Sequence, residues 1–449
     1  MKINKLTSTL VALGVLSLAG VAQASNPVIY ITGSTAARAF FYNAAKTPGQ
    51  TFLSGFAGYP KVVSPTDSSG ANQIVYEGYI NSGGTTNLVD IDCSWTGSEA
   101  GIASVAGQGL HQTLAKSTLG LASGSYNLPG VPPTFYTQSS GWQMTAALSA
   151  IPGAPSVPDL AMADTSQTVS QTPKSLYPLV DYGVVGIIPF TFMKGFEKTA
   201  DATWSNVVNI TTAQINQLIG SPQKASFVTG VSTDSSESVA VCGRNIGSGT
   251  RANGLLNFQY GINTPVDQFA YRVFYTAGGV LSEDTTNALA YTPDANGLVE
   301  VFNDGFDSGG NVAKEMNIDG TGQGVVLVGY LGVSDAFAAQ TATSGQITAG
   351  GGNATYLPFN GVYESDNAVI NGSYSYWGQE HLLGVTGQSP TSQAGYAATA
   401  IVNGLLANEV AASVASGDIR TVAQTAVLAK TRMQVKRNLD SGFPQVGTY

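Results

Sequence analysis

Ser238-Val-Ala-Val-Cys242-Gly-Arg244-Asn-Ile-Gly-Ser-Gly-Thr-Arg251 reads as a short strand, a glycine-rich loop and the opening of a helix that runs on from about Ala252. Four of the first five residues are apolar and two are valine, which suits a buried strand. The loop that follows is polar. A helix start carries N–H groups with no acceptor inside the helix, and its dipole favours negative charge. Gly247 and Gly249 let the backbone come close to a ligand. Ser248 and Thr250 add hydroxyl donors, and Arg244 can make a two-pronged contact to an oxyanion. The plainer alternative is a capped helix with a surface arginine. Arg followed by Gly-Ser-Gly-Thr directly after a strand favours an anion grip.

The same strand–loop–helix grammar recurs outward from this stretch. Val28–Thr32 is a β-rich run that turns at Gly33-Ser34-Thr35 into a helical segment over Ala36–Lys46. Ile74–Ile80 and Asn87–Trp95 are two more β-rich runs, with Asn81-Ser82-Gly83-Gly84 between them as a hairpin turn. The second leads through Thr96-Gly97-Ser98-Glu99-Ala100-Gly101 into an apolar helix start at Ile102. Gly107–Pro155 is rich in Gly, Ser and Pro and reads as an insertion. Asp159–Ala163 is strand-like and ends at Asp164-Thr165. Leu179–Phe192 is apolar enough for a strand buried on both faces. Val325–Tyr330 is another buried strand, Ser373–Val385 a further crossing segment, and Gln393–Val414 an Ala-rich amphipathic helix. Strands alternating with helices define an α/β class with a central mixed or parallel sheet.

Composition sets the compartment and the partners. Lys2 and Lys5, the apolar run Leu10–Val21 and then Ala22-Gln23-Ala24 form a secretory signal peptide over residues 1–24, with cleavage expected before Ser25. No later apolar stretch reaches the roughly 18 residues of a membrane span. The expected mature protein is soluble and exported, periplasmic in a diderm bacterium. A hydrophobic fraction of 43% supports a substantial core, and the chain length argues for two domains. The net charge of −9 argues against nucleic acid, whose backbone demands a basic face. It does not argue against a small anion in a cleft, which is held by local donors. Export permits a Cys93–Cys242 disulfide. A bridge across a closing cleft would hinder it, which favours two buried thiols.

Three further positions join the grip. Ser34 and Ser98 each sit at a helix start after a strand, where a hydroxyl either meets a ligand or simply caps the helix. In open α/β sheets such loops gather at the carboxyl ends of strands, where ligands sit. Asp164 repels an anion unless it accepts a proton from it. Hydrogenphosphate can donate one and sulfate cannot, so an aspartate in the pocket selects by hydrogen-bond matching. The bland alternative is a capping role for Asp164. A hydrolase is the rival class. The two histidines, His111 and His381, lack a Gly-x-Ser-x-Gly elbow, and both read as structural. Asp304-Gly-Phe-Asp307 and Asn317-Ile-Asp319-Gly320 lack the full calcium-loop pattern and read as turns. No catalytic residue, metal or cofactor is expected. A secreted phosphate-binding surface protein and a phosphatase-like hydrolase are the alternatives.

These residues, in this order, resemble the periplasmic phosphate-binding proteins of ABC transporters. The matching islands are Thr32-Gly33-Ser34-Thr35-Ala36, Thr96-Gly97-Ser98-Glu99, Asp159-Leu-Ala-Met-Ala-Asp164 and Arg244 to Thr250. Gly183-Val-Val-Gly-Ile-Ile and Val328-Gly-Tyr-Leu-Gly332 look like the family's later strands. Departures are Ile246 where the family usually has an acid two after the arginine, Ala163 in place of the serine before the aspartate, and an extra acid at Glu99. Ser82 competes with Ser98, which is preferred because an apolar helix follows it. The resemblance implies a type II periplasmic-binding-protein-like bilobed fold, two α/β domains joined by crossing strands, with the ligand in the cleft. Domain I is expected over 25–185 plus 375–449 and domain II over 186–374. The implied ligand set is Ser34, Thr35, Ala36, Ser98, Asp164, Arg244, Ser248, Gly249 and Thr250. The implied ligand is inorganic phosphate or a similar oxyanion. The implied partner is a membrane ABC permease, and the protein is expected as a monomer.

Overall fold

A computed structural model describes residues 28–46, 61–62, 70–71, 73–82, 85–108, 111–112, 155–156, 158–271, 274–276, 288–290, 299–300, 305–306, 308–341, 352–386, 395, 397–406, 427–438 and 444–447. The expected signal peptide, most of the Gly107–Pro155 insertion, turn residues 83–84, residues 304 and 307 and the end of the Gln393–Val414 helix lie outside them.

Eleven strands form one mixed sheet, the α/β architecture that the alternating pattern predicts. In chain order they are β1 (Val28–Gly33), β2 (Lys61–Val62), β3 (Gln73–Ser82), β4 (Thr85–Trp95), β5 (Leu160–Ala163) and β6 (Leu179–Lys194). Then come β7 (Gln223–Lys224), β8 (Ser238–Cys242), β9 (Val325–Gly332), β10 (Thr355–Leu357) and β11 (Trp377–Val385). Across the sheet the order is β2-β3-β4-β1-β5-β11-β6-β9-β8-β7, with β10 also on β6. β1 runs parallel to β4 and β5, and β8 runs parallel to β9. β3 and β4 make the expected antiparallel hairpin, with Ser82 opposite Thr85.

β6 is the shared strand. Its first part, Leu179 to Pro189, pairs with β11. Its end, Phe190 to Lys194, pairs with β9, and Phe192 to Lys194 also with β10. The change of partner falls at Pro189, which has no N–H to give to a ladder. One half-sheet therefore holds β1–β5 and β11, and the other holds β7–β10. β6 is fully buried only from Val185 onward, so the expected burial on both faces holds for its second part. The first part carries the exposed Asp181, which has a partner described below.

Alternation along the strands sorts the core. Met162 and Leu382 enter the large apolar cluster that spans the sheet, while Ala161, Ala163 and Leu383 enter a small one with Ile102 and Val105. Helix α1 (Arg38–Lys46) buries Phe40 and Phe41 in the large cluster, and α2 (Ser98–Ala103) carries Ile102 of the small one. Helix α3 (Gly249–Asn257) starts three residues before the expected Ala252, with Ser248 as its N-cap. Helices α4 (Gly309–Met316) and α5 (Val333–Gln340) contribute Val312, Met316 and Ala336 to a third cluster, which also holds Cys242. Cys93 lies in the large cluster, so the two cysteines are separate buried thiols. Among the described residues no helix is long and apolar enough to cross a membrane.

Candidate functional site

The carboxyl ends of the parallel strands converge, as open α/β sheets require of a ligand site. β1 delivers Ser34, β4 delivers Ser98, β5 delivers Asp164, β8 delivers the Arg244 loop and β9 delivers the start of α5.

On the first half-sheet, β1 ends at Gly33, whose φ of 116° lies in a region that side chains rarely adopt. A Cβ there would overlap the Met162 carbonyl oxygen. That closeness lets Ser34 N–H donate to Met162 O at 2.8 Å, and it fixes Ser34 beside the end of β5. The Ser34 hydroxyl accepts from Ala37 N–H at 3.2 Å. Thr35 and Ala36 form the bend that carries the chain into α1 and stay half-buried. Ser98 is buried, and its Oγ accepts from Asp164 N–H at 3.2 Å. The N–H groups of Glu99 and Ala100, at the start of α2, donate to Gly247 O at 3.1 and 3.3 Å. This helix start is thus tied to the arginine loop itself. Glu99, the extra acid of the sequence, is an organiser. Its carboxylate accepts from Thr165 Oγ1 at 2.9 Å, Ser170 Oγ at 2.7 Å and Gln171 N at 2.9 Å, which anchors the segment after Asp164. Ser82, the competitor of Ser98, has a side chain outside the described positions.

The Arg244 loop closes the other side. Arg244 is 3% exposed although charged. Its Nε donates to Phe306 O at 3.2 Å and an Nη to Thr250 Oγ1 at 3.4 Å. Its backbone N–H donates to the Tyr330 hydroxyl at 3.2 Å, which in turn donates to Gln268 at 2.8 Å. Ser248 accepts from Arg251 N–H at 3.4 Å and so caps α3. Gly249 and Thr250 are first-turn residues, whose N–H groups have no acceptor within the helix. The Thr250 carbonyl accepts from the Tyr376 hydroxyl at 3.1 Å.

The two sides meet at Gly249. A Cβ at that position would overlap Asp164 Oδ1 and stand 2.5 Å from Ser98 Oγ. Ser98, Asp164 and the α3 start thus come together, with Arg244 and Thr250 on the same loop. Asn253 on α3 fastens the contact by donating to the Asp164 carbonyl at 2.6 Å and to Gly249 O at 3.2 Å.

Sequence reasoning missed three charged neighbours. Arg38 opens α1, four residues after Ser34, and Asp335 lies in the first turn of α5. Burial lowers the Arg38 pKa; Asp335 opposes that shift and Arg244 adds to it. Burial raises the Asp335 carboxyl, and Arg244 and Arg38 hold it down. The charges of Arg38, Arg244 and Asp335 thus act on one another across the two half-sheets. The sequence signal for Arg38 was a cation in the first turn of a helix, where the dipole disfavours it. The third neighbour is Glu380 on β11, fully buried. Its burial raises its pKa well above the usual carboxylate range, the Asp164 charge adds to this, and Ser34 and His381 moderate it. His381 itself bonds Asp181 at 2.9 Å through Nδ1. The Asp319 carboxylate accepts from Lys198 N, Thr321 N and Thr321 Oγ1, which makes Asn317–Gly320 the turn that was expected. Among the described residues, no group of three or more His, Cys, Asp or Glu could hold a metal ion.

No protein-family model and no curated protein matches the chain. Solved structures do. One is described as a phosphate ABC transporter substrate-binding protein with bound phosphate from Clostridium perfringens, with 13% identity, a TM-score of 0.40, and coverage of 90% of this chain and 99% of that one. PstS from Borrelia burgdorferi has 10% identity, a TM-score of 0.32, and coverage of 85% and 92%. An ABC-type phosphate transport receptor from Vibrio cholerae has 12% identity, a TM-score of 0.37, and coverage of 84% and 93%.

Proposed function

We propose that this chain is an exported binding protein that holds a small tetrahedral oxyanion, hydrogenphosphate or a close analogue, and passes it to a membrane ABC permease. The observation that carries this reading is the meeting of Asp164 and Ser98 at Gly249, the first residue of a helix whose loop carries the buried Arg244. The guanidinium and the first-turn N–H groups supply positive charge and donors for an anion. Asp164 supplies one acceptor, which matches the hydroxyl of hydrogenphosphate and finds no match on sulfate. Arg38 adds positive charge beside Arg244 in a chain that is acidic as a whole. In this reading the half-sheets on either side of β6 are two lobes, corresponding to 25–185 plus 375–449 and to 186–374. The protein acts as a monomer, and the named residues hold an anion without a catalytic step, cofactor or metal.

Calorimetric titration of the mature protein with phosphate, arsenate and sulfate tests the reading. Saturable binding of the first two and none of sulfate is expected. Arg244→Ala is expected to lose binding while keeping the folded far-UV spectrum. Silence toward all three anions in the wild type would overturn the proposal.

A further inference from the structure

Glu380 is the buried acid that the site as described does not use. Its strand β11 runs antiparallel to β5, with His381 opposite Ala163, Leu382 opposite Met162 and Leu383 opposite Ala161. β5 ends at Ala163, opposite His381; Glu380 stands one residue beyond that last pair, and Asp164 is the bend residue that follows β5. Leu382 and Met162, a directly opposed pair, share the large core. A register shift between Glu380 and His381 marks a bulge, a device that re-aims side chains beside functional sites. On its other flank Glu380 faces Gly186 of β6, which has no side chain to offer. Glu380 is 0% exposed, and neither carboxyl oxygen meets a partner at hydrogen-bonding geometry, although the Ser34 hydroxyl stands beside it.

We infer that Glu380 is a specificity-determining residue of the Asp164–Ser34 side of the pocket, a protonated carboxylic acid whose O–H donates to an unprotonated oxygen of the bound oxyanion. This rests on the oxyanion-binding reading and narrows it. Asp164 reads the ligand's hydroxyl and Glu380 reads a bare oxygen, so the pocket selects ligands that carry both. Two buried carboxyls on neighbouring strands do not both ionise. Of the charged groups around Glu380, Asp164 favours a proton there and His381 opposes it. Asp164 stands at the end of β5, and His381, next on β11, is bonded to Asp181 of β6. From the C-terminal segment, Lys430 donates to the Val184 carbonyl and Arg437 to the Trp377 carbonyl. Burial is the largest cause that keeps the proton on Glu380, with the Asp164 charge second. Raising the pH through this elevated pKa creates a second negative charge against the anion, so affinity falls on the alkaline side.

The test is phosphate affinity by calorimetry for wild type and Glu380→Gln at neutral pH and at about pH 9. Phosphate's own ionisation is common to both proteins and cancels in the comparison. Gln keeps a donor without a titratable proton, so the E380Q affinity is expected to follow phosphate's own ionisation alone. Wild type is expected to lose more affinity than E380Q as the pH rises. Parallel pH profiles for the two proteins would overturn the role of Glu380 and leave the oxyanion reading standing. Absence of phosphate binding by wild type at either pH would instead overturn the oxyanion reading. If E380Q does not fold, infrared difference spectra of wild type decide. A protonated-carboxyl carbonyl band at neutral pH that moves on adding phosphate is expected, and an unmoved spectrum contradicts the inference.

Discussion

The side-chain amide of Asn253 donates to the backbone carbonyl of Asp164 at 2.6 Å, which ties the helix behind the arginine loop to the strand end of the other half-sheet. The same amide reaches Gly249 O at 3.2 Å, so one side chain sets the distance between the two walls of the pocket. Removing the donor leaves a buried carbonyl unsatisfied, at a cost of about 1–3 kcal/mol. Asn253→Ala is expected to lower the unfolding free energy by that amount. Asn253→Asp, which turns an acceptor and a charge toward two carbonyls, should destabilise more. Denaturant unfolding of both variants checks the order; equal midpoints for wild type and N253D would contradict it.

Gly249→Ala separates local propensity from packing. Alanine is the better helix former by about 1 kcal/mol, which alone would stabilise α3. The added methyl, however, overlaps Asp164 Oδ1 and crowds Ser98 Oγ. Overpacking of this kind costs about 1–3 kcal/mol, so a net loss of stability is expected together with loss of phosphate binding. An unchanged melting temperature with retained binding would show that Asp164 does not stand where it is described.

Glu99 acts at one remove from the pocket. It accepts from Thr165, Ser170 and Gln171, and so holds the segment that begins at Asp164. Glu99→Ala leaves these donors without their shared acceptor. An expected cost of about 2–4 kcal/mol follows from losing buried charge-assisted hydrogen bonds. Weaker phosphate binding should accompany it, measured by calorimetry at a temperature where the variant is folded. Wild-type affinity and stability in E99A would remove Glu99 from this role.

Much of this geometry was legible in the sequence, and the missing parts share a physical cause. Ser34, Ser98, Asp164 and the Arg244 loop announced themselves because each lies directly after a β-rich run, so local pattern and local position coincide. The α/β class followed from the same alternation. The changeover of β6 partners at Pro189 was not legible, because strand order is set by contacts distant in sequence. Glu380 escaped for the same reason: only the placing of β11 between β5 and β6 brings it into the range of the Asp164 charge, more than two hundred residues away. Arg38 and Asp335 carried weaker local signals, and their significance lies in the Arg244 charge they share. The role of Glu99 became readable once Gln171 and Ser170 were seen folded back onto it.

The Asp181–His381 pair gives a pH signature away from the pocket. Burial pushes the Asp181 pKa up, but the hydrogen bond and charge of His381 outweigh it and leave the pKa below the ordinary value. A depressed carboxylate pKa contributes stability that is present above the unfolded value, near 4, and is lost as pH falls through the folded one. Thermal unfolding of wild type should therefore show a step of acid destabilisation below about pH 4 that is smaller in Asp181→Asn. Superimposable acid limbs for the two proteins would show that the pair does not hold in solution.

The central claim is that one tetrahedral oxyanion sits between the Arg244 loop and Asp164. Arsenate matches phosphate in shape and protonation and scatters anomalously, so it marks its own position in a crystal. Diffraction data collected at the arsenic edge from the arsenate-bound protein are expected to give one strong anomalous peak beside the Arg244 guanidinium, within hydrogen-bonding reach of the Gly249 and Thr250 N–H groups and of Asp164. A peak elsewhere, or none in crystals grown with saturating arsenate, would contradict the account.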